Sequence, residues 1–349
     1  MLLHKLADVK QYAEQPGLGL SEACLESRKL DKRLISIINL VRMISVANLA
    51  KYYPGVAAVD DISFTVEKGD IVGFLGPNGA GKTTTMRILT TFIPPSAGQA
   101  AVNGYDVVTE SLKVRKLIGY MPETIPLYPE MRVNEYLRFR AKLKRVPAKE
   151  RKTCVAEVID RCRLKDVERT IMGHLSKGYR QRVGLADAII NNPPIMILDE
   201  PTIGLDPSQI RQTRSLIKEL GKDRTIIIST HILPEVEMIC NRVIIIHQGK
   251  IVTMDTLDRL VVGAQQQKET RLEVRGPGGE IKKVIEKISD VQEISWEEKD
   301  NWNLFTVKSQ KDIRETLAQA MARHNWTLRE LRSVKVTLED LFVRVTAGE

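Results

Sequence analysis

The stretch GPNGAGKTT at residues 76–84 has the residue types and spacing of a loop that holds phosphate groups. It follows the apolar run IVGFL and opens the helical pattern KTTTMRILTTF, which is the strand–loop–helix context that such a loop requires. Glycines let backbone N–H groups close around phosphate oxygens, and the helix N-terminus adds partial positive charge. We expect the Lys82 amine to reach the β- and γ-phosphates and the Thr83 hydroxyl to ligate Mg²⁺. The residues predicted to contact the nucleotide in this loop are Gly76, Pro77, Asn78, Gly79, Ala80, Gly81, Lys82, Thr83 and Thr84.

Two adjacent acids, Asp199 and Glu200, follow the apolar run IMIL. Such a pair more often caps a loop, but a phosphate loop upstream favours a catalytic interpretation. Asp199 is predicted to hold Mg²⁺ through water at the carboxyl end of a strand, where α/β sheets place their ligands. Glu200 is predicted to orient or deprotonate the attacking water, and a positioned base typically contributes about 10²–10⁴ in rate. His231, which also follows an apolar run directly, is predicted to bond a γ-phosphate oxygen and fix that water.

These side chains need a sheet whose strands end at one edge. The runs DIVGFLG, PPIMILDE, RTIIIST and RVIIIHQGKIV are β-branched and apolar throughout, as expected for strands buried on both faces. Between the first two runs lie the helical patterns VNEYLRFRAKLKRV and AKERKTCVAEVIDRCRL. The sequence therefore predicts a parallel α/β domain over residues 43–255, interrupted by a helical subdomain at about residues 131–190.

The two ends of the chain differ from this domain. Residues 1–42 are predicted to be an extension, either from an upstream start with Met43 as the natural first residue or as a regulatory or docking tail. Residues 256–267, with QQQ, are predicted to be a polar linker. Residues 268–349 give the order strand, helix, strand, strand, helix, strand, which predicts a small ferredoxin-like α+β module. The closing stretch TLEDLFVRVT is predicted to be an amphipathic helix.

Bulk composition narrows the classes of protein. The 349 residues are 43% hydrophobic and 28% charged, as in an ordinary globular protein with two domains. A formal charge of +9 with 5% aromatic residues favours a solvated basic surface over a nucleic-acid groove with stacking platforms. The four cysteines contain no CxxC pair, which favours a reducing cytoplasm over a disulfide or zinc framework. No uncharged apolar run reaches the roughly 18 residues that span a bilayer.

The order of these motifs resembles the ATP-binding subunit of an ABC transporter over roughly residues 43–252. The resemblance implies a P-loop ATPase fold that binds ATP and Mg²⁺. Tyr53 in KYYPG matches the family's adenine-stacking aromatic, although neighbouring Tyr52 is an alternative. Glu123, at the end of IGYMPE, stands where the family usually has glutamine. Its carboxylate is predicted to ligate Mg²⁺ or to hold a water molecule beside the nucleotide. The remaining matches, which the resemblance assigns to the nucleotide, are the signature residues Ser176, Lys177, Gly178 and Tyr179, and Asp206 in GLDP.

The same resemblance implies a partner for the site. Two such domains dimerise head to tail in the family, and the signature segment of each covers the ATP on the other's phosphate loop. LSKGY has Lys177 and Tyr179 where glycine and glutamine are commonest, but Ser176 and Gly178 retain the cradle. Hydrolysis would then drive a separate transmembrane permease, which places the protein in the cytoplasm, on the inner face of the cell membrane.

Three features resemble one branch of the family, the ATPases of type-two exporters of multidrug, polysaccharide and gliding-motility-associated kinds. They are the variants in the signature segment LSKGY, the segment TIPLYPEM after Glu123, and the LEDLF ending. The alternatives are an importer ATPase, a soluble ABC ATPase acting on nucleic acid or ribosomes, and a regulatory protein without turnover. Long heptad arms and a second cassette are absent from the sequence, so no nucleic-acid partner is expected.

Overall fold

The computed structural model describes residues 42–264, 268–334 and 342. Its main sheet has six strands, of which all but the last are parallel. These strands are β3 (Ile71–Leu75), β6 (Ile118–Met121), β7 (Ile195–Asp199), β8 (Thr225–Thr230), β9 (Arg242–His247) and β10 (Lys250–Thr256), in the spatial order β10–β9–β3–β8–β7–β6. The run RVIIIHQGKIV forms two antiparallel strands, not one, because Gln248 and Gly249 have φ of 47° and 78° and make a tight hairpin turn.

Alternate residues of the parallel strands face two separate hydrophobic cores. In β7, for example, Ile195 and Ile197 face one core and Met196 and Leu198 face the other. This two-sided burial explains why the strands are apolar throughout, and it confirms the predicted parallel α/β fold.

An antiparallel sheet closes one of these cores. It consists of β1 (Arg42–Tyr53), β2 (Val56–Glu67), β4 (Ala97–Val102) and β5 (Tyr105–Asp106), in the order β2–β1–β4–β5. Helix α1 (Lys82–Leu89) packs between the two sheets through Met86, Ile88 and Leu89. The phosphate-type loop at residues 76–81 therefore lies between β3 and a buried helix.

Helices cover the other core. They are α3 (Val133–Leu143), α4 (Arg151–Arg161) and α5 (Lys177–Ile189), with short 3₁₀ turns at Lys165–Val167 and Met172–His174, and the core that they cover is called the helix-side core. The preceding helix, α2 (Ser111–Leu117), packs through Val114 against the core that the antiparallel sheet closes. Arg140 of α3 makes a bidentate pair with Asp187 of α5, with both N–O distances at 2.8 Å. This pair fixes α5 against α3 inside the stretch predicted to be helical.

Three further helices follow α5, namely α6 (Pro207–Gly221), α7 (Leu233–Ile239) and α8 (Leu257–Ala264). The last of them corrects the prediction of a polar linker over residues 256–267. Leu257 and Leu260 are three positions apart, so they share one face of α8, and both pack against the helix-side core. Of the predicted linker, residues 265–267 lie outside the described residues.

The C-terminal module has the predicted ferredoxin-like topology. Its elements are β11 (Lys268–Arg275), α9 (Gly278–Glu286), β12 (Val291–Lys299), β13 (Trp302–Ser309), α10 (Arg314–Arg323) and β14 (Thr327–Val334), and the strand order is β12–β13–β11–β14. Both helices pack on one face of this sheet around Phe305, Ile281 and Leu317.

Both chain ends lie largely outside the described residues. The predicted extension is described only at Arg42, the first residue of β1, and the predicted closing helix only at Phe342, which is helical and packs against the helix-side core. In the described ranges no helix is both long and apolar enough to span a membrane.

Candidate nucleotide site

The loop between β3 and α1 has a backbone that only glycine fits at two positions. Gly81 has φ of +107°, and a Cβ there would lie 2.4 Å from the carbonyl oxygen of Ala58. A Cβ on Gly76 would lie 2.4 Å from the carbonyl oxygen of Ile246 in β9. The loop is therefore held tightly between the two sheets, and its backbone can approach a ligand closely.

The Lys82 side chain folds back across this loop. The side chain is 6% exposed, and its amine donates hydrogen bonds to the carbonyl oxygens of Gly76 (2.8 Å) and Pro77 (3.2 Å). It also lies 3.5 Å from Glu200 Oε1. A buried amine in the middle of a backbone cradle is a strong point charge for a phosphate oxygen.

Asp199, at the end of β7, lies beside the start of α1. Its Oδ1 accepts hydrogen bonds from the Thr83 hydroxyl (3.3 Å) and from the Ser229 hydroxyl, whereas its Oδ2 is buried without a hydrogen-bond partner. Burial is the main cause that raises the pKa of Asp199.

An unsatisfied carboxylate oxygen next to a hydroxyl fits Mg²⁺, which binds oxygen ligands. Among the described residues no group of three or more His, Cys, Asp or Glu side chains could hold a metal. The residues thus fit a cation that completes its coordination with phosphate and water oxygens.

Glu200 occupies the turn after β7 in a strained conformation. Its φ of +49° is rare for a residue with a side chain, and its backbone N–H donates to the carbonyl oxygen (3.0 Å) and the hydroxyl (3.2 Å) of Ser229. The carboxylate is buried, and His231 Nδ1 lies 3.0 Å from each of its oxygens. The His231 side chain is 39% exposed. This arrangement can take a proton from a water on the open side and keep the imidazole in place.

Two predicted contacts at the edge of the site are less well defined. Glu123 is exposed just beyond β6, and its charge adds to burial in raising the pKa of Asp199.

The two candidate base-stacking rings, Tyr52 and Tyr53, are 51% and 44% exposed. The Tyr52 hydroxyl donates a hydrogen bond to Asp60 (3.4 Å), and Lys51 Nζ lies 5.5 Å from the Tyr53 ring centroid. Either ring is available to stack on a base, so the assignment to Tyr53 stays a prediction.

The signature residues lie at the start of α5. Ser176 is the N-cap of this helix, and its hydroxyl accepts a hydrogen bond from the Tyr179 N–H (3.4 Å). The Tyr179 hydroxyl donates to Asp166, so this side chain faces its own subdomain. Ser176 and Lys177 are exposed, and Gly178 is buried.

The signature segment packs on the GLDP turn of the same chain. A Cβ on Gly178 would lie 2.3 Å from Gln209 Oε1 in α6, and a Cβ on Gly204 would lie 2.1 Å from Lys177 Nζ. Asp206 is the N-cap of α6 and accepts hydrogen bonds from the N–H groups of Ser208 and Gln209, both at 2.9 Å. The backbone hydrogen bond from Gln209 is the main cause that lowers the pKa of Asp206.

The predicted site residues thus form two clusters. The phosphate-loop cluster contains Lys82, Thr83, Asp199, Glu200 and His231, and the signature cluster contains Ser176, Lys177, Gly178 and Asp206. No hydrogen bond or ion pair joins the two clusters in the described part of the chain.

Sequence reasoning missed Ser229, which connects Asp199 to Glu200. The available signal was a pair of hydroxyl residues, Ser229 and Thr230, at the end of an otherwise apolar strand.

We expect Ser229→Ala to lower ATP turnover about tenfold and to raise the Mg²⁺ concentration needed for half-maximal activity. The substitution removes the hydroxyl that bonds the buried Asp199 carboxylate, and a buried group that loses its hydrogen bond costs about 1–3 kcal/mol. A Mg²⁺ titration of steady-state turnover measures this, with Ser295→Ala on exposed β12 as the control; unchanged Mg²⁺ dependence in Ser229→Ala would contradict it.

The fold and the site define a P-loop ATPase. Comparison with known proteins specifies the family. The family model described as ABC transporter matches residues 59–203. The linearmycin resistance ATP-binding protein LnrL of Bacillus subtilis (strain 168) is 30% identical over 306 residues, which cover 87% of this chain and 98% of that protein. The chain therefore belongs to the ABC transporter family as an ATP-binding subunit, and it is an ATP hydrolase.

Two other similarities extend this result. ABC transporter A family member 1 of Dictyostelium discoideum is 38% identical over 194 residues, but this chain spans only 22% of that longer protein. The dimeric post-hydrolysis structure of the ATP-binding cassette MJ0796, bound to ADP and Pi, matches with a TM-score of 0.58 and 25% identity, covering 62% of this chain and 99% of that one. ABC cassettes thus form dimers, and that dimer contains the products of hydrolysis.

Proposed function

We propose that this protein is the motor subunit of a membrane exporter, in which two copies close head to tail around two ATP molecules. The observation that carries the proposal is the separation of the two clusters. The exposed N-terminus of α5, with Ser176 and Lys177, provides an N–H-rich, cationic surface, and in the described part of the chain no hydrogen bond or ion pair joins it to its own phosphate loop. In a head-to-tail dimer this surface would cover the γ-phosphate on the partner's loop.

Each residue of the phosphate-loop cluster then has a proposed role. Lys82 neutralises charge on the β- and γ-phosphates, and Thr83 and Asp199 hold Mg²⁺, which supplies charge neutralisation on the transferred phosphoryl group. Glu200 orients the attacking water and accepts its proton. His231, held at 3.0 Å from Glu200, fixes the water and the γ-phosphate from the exposed side.

A groove beside the signature segment supports docking of a separate permease. It has a volume of about 640 Å³ and lies between the loop after β6 and the start of α5. Its lining combines apolar side chains with three charged residues, Glu123, Lys177 and Arg180, and with Gln181, which is 5% exposed and whose Oε1 has no hydrogen-bond partner. Tyr128, Phe139 and Leu143 are exposed nearby on α3 and the preceding loop. An amphipathic helix from the permease would cover these apolar groups and supply a donor to Gln181.

The resistance for which LnrL is named supports the proposed direction of transport. That protein is named for resistance to linearmycin, and it is similar to this chain over 98% of its length. A resistance function is consistent with outward movement of a toxic compound. We therefore propose export over import, with the protein held at the inner membrane face by its permease.

The experiment that tests the dimer is the solution mass of Glu200→Gln protein with and without Mg-ATP, measured by light scattering after gel filtration. We expect the mass to double with Mg-ATP, because a protein that binds but does not hydrolyse ATP keeps the bridge between the copies. Adding Ser176→Arg should abolish the doubling and leave ATP binding by the single subunit intact.

Ser295→Arg, on exposed β12, is the matched control and should not affect the doubling. A dimer that forms with Ser176→Arg would contradict the head-to-tail arrangement. A mass that does not depend on ATP would instead indicate association through another surface, and deletion of residues 268–349 would show whether the C-terminal module provides it.

A further inference from the structure

An ion pair between a buried glutamate and a partly buried arginine contacts the residue that precedes His231, in a region to which the sequence motifs assign no role. Glu235, in the first turn of α7, is 1% exposed. Its Oε1 faces Arg214 Nη2 of α6 at 3.6 Å, and its Oε2 accepts a hydrogen bond from the Thr230 hydroxyl (3.1 Å). Glu235 therefore connects the end of β8 to α6.

The hydrogen bonds of Thr230 bracket His231. The Thr230 hydroxyl donates to Glu235 and also accepts from the backbone N–H of Ile232 (3.1 Å). The residues on both sides of His231 are thereby fixed to one carboxylate. Because His231 Nδ1 must stay at 3.0 Å from Glu200, a shift of this turn would change the geometry of the proposed catalytic pair.

The pair is poorly explained by stability alone. At 3.6 Å the Glu235 Oε1 lacks a hydrogen bond, and the Arg214 Nε is also buried without a partner. A buried pair with incomplete hydrogen bonding seldom repays its desolvation, and apolar residues of similar volume are often at least as stable. Retaining two charges here is therefore better explained by positioning than by folding.

The helix that carries Arg214 also contacts the signature segment. In α6, Gln209 packs on Gly178, and Gln212 accepts a hydrogen bond from Arg182 of α5 (2.5 Å). Thus the amino-terminal half of α6 contacts α5, and Arg214 of α6 contacts Glu235 of α7. A movement of α5 against α6 can therefore displace the turn that holds His231.

We propose that the Glu235–Arg214 pair is a positioning device for hydrolysis, which holds His231 on Glu200 and couples its position to α6 and the signature helix. The proposal rests on the roles assigned above to Glu200 and His231. It predicts a loss in kcat for ATP without a matching change in KM, because the pair does not touch the nucleotide.

The test is the neutral double variant Arg214→Met/Glu235→Gln in the full chain, with kcat, KM and Tm measured together. Each single variant leaves one member of the pair without its partner and is expected to lower Tm. In the double variant Tm should return to within a few degrees of wild type. We expect kcat to stay at least about tenfold below wild type, since misplacement of about 1 Å can cost up to about 100-fold, while KM changes less than about twofold. Recovery of kcat together with Tm would overturn the proposal.

A matched pair at the opposite edge of the sheet provides the control. Arg242 Nη1 lies 2.8 Å from Asp70 Oδ2, with side chains 21% and 13% exposed, where β3 and β9 begin. Asp70→Asn/Arg242→Met should keep kcat within about twofold of wild type. An equal loss of kcat in this control would mean that any ion pair of this kind affects turnover, and it would overturn the proposal.

A second comparison applies if the neutral double variant does not fold. The kcat of Arg214→Lys is then compared with that of Arg214→Met at equal Tm, and we expect the retained charge to preserve more kcat. Equal kcat values in the two variants would overturn the proposal.

A mutant cycle with His231→Ala distinguishes this proposal from the function on which it rests. If the pair acts through His231, adding Arg214→Met to His231→Ala should lower kcat no further. A further additive loss would overturn the positioning role. If His231→Ala alone keeps wild-type turnover, the proposed role of His231 fails; if His231→Ala is slow but the neutral double variant is normal, only the role of the pair fails.

Discussion

Replacing Glu200 with glutamine is expected to preserve ATP binding and to lower the turnover number by about 10²–10⁴. Glutamine keeps the size of the side chain and can still hydrogen-bond His231 Nδ1, but it cannot accept a proton from water. The site should therefore bind ATP and stop before hydrolysis. Isothermal titration with Mg-ATP and single-turnover phosphate release measure the two steps separately.

The backbone hydrogen bonds of Glu200 make this the sharpest test of the catalytic assignment. Glu200 is held by Ser229 through two hydrogen bonds to its backbone N–H, and glutamine at this position keeps both. A structural effect should thus be small. Glu237→Gln on the exposed face of α7 is the matched control and should keep normal turnover. Near-normal phosphate release from Glu200→Gln would refute its role as base.

Replacing Lys82 with alanine is expected to weaken ATP binding by about two orders of magnitude or more. The amine bonds two carbonyl oxygens of the loop, so its removal loses both the phosphate charge and the bracing of the loop. A hydrogen bond to a charged group contributes about 1.5–3 kcal/mol, and each 1.4 kcal/mol is tenfold in affinity. Isothermal titration with Mg-ATP measures the change.

A second variant separates the phosphate contact from an indirect effect. Lys82 lies 3.5 Å from Glu200, so Lys82→Ala also leaves a buried carboxylate without its cation. In Lys82→Ala/Glu200→Gln that charge is absent, and we expect binding to remain weak. Recovery of affinity in the double variant would mean that Lys82 serves mainly to neutralise Glu200. Lys68→Ala, at an exposed turn, controls for loss of a surface charge.

The linker and the hairpin show where local patterns were insufficient. Residues 256–267 look polar because of QQQ, yet Leu257 and Leu260 find a hydrophobic surface and form α8 with the residues between them. In RVIIIHQGKIV the composition is that of one strand, but two residues with positive φ reverse the chain. In both cases the outcome depends on what lies opposite the segment, which composition does not contain.

The amino-acid sequence by itself determined the phosphate loop, the buried parallel strands and the order of the ferredoxin-like module. These features are local: a glycine spacing sets a loop conformation, and a run of apolar residues sets a strand buried on both faces. The placement of the two acids and His231 at one edge of the sheet was also predictable, because the carboxyl ends of parallel strands meet there, whereas their roles stay predictions.

Only the tertiary structure decided how these groups are supported. Ser229 joins Asp199 to Glu200 across neighbouring strands, Lys177 lies on Gly204, and Arg214 meets Glu235 between α6 and α7. Each of these contacts joins residues 21 or more positions apart in the chain, and none has a spacing that a motif could reveal. They arise because packing of helices on a twisted sheet brings distant side chains within hydrogen-bond or ion-pair distance, and that packing is a property of the whole domain.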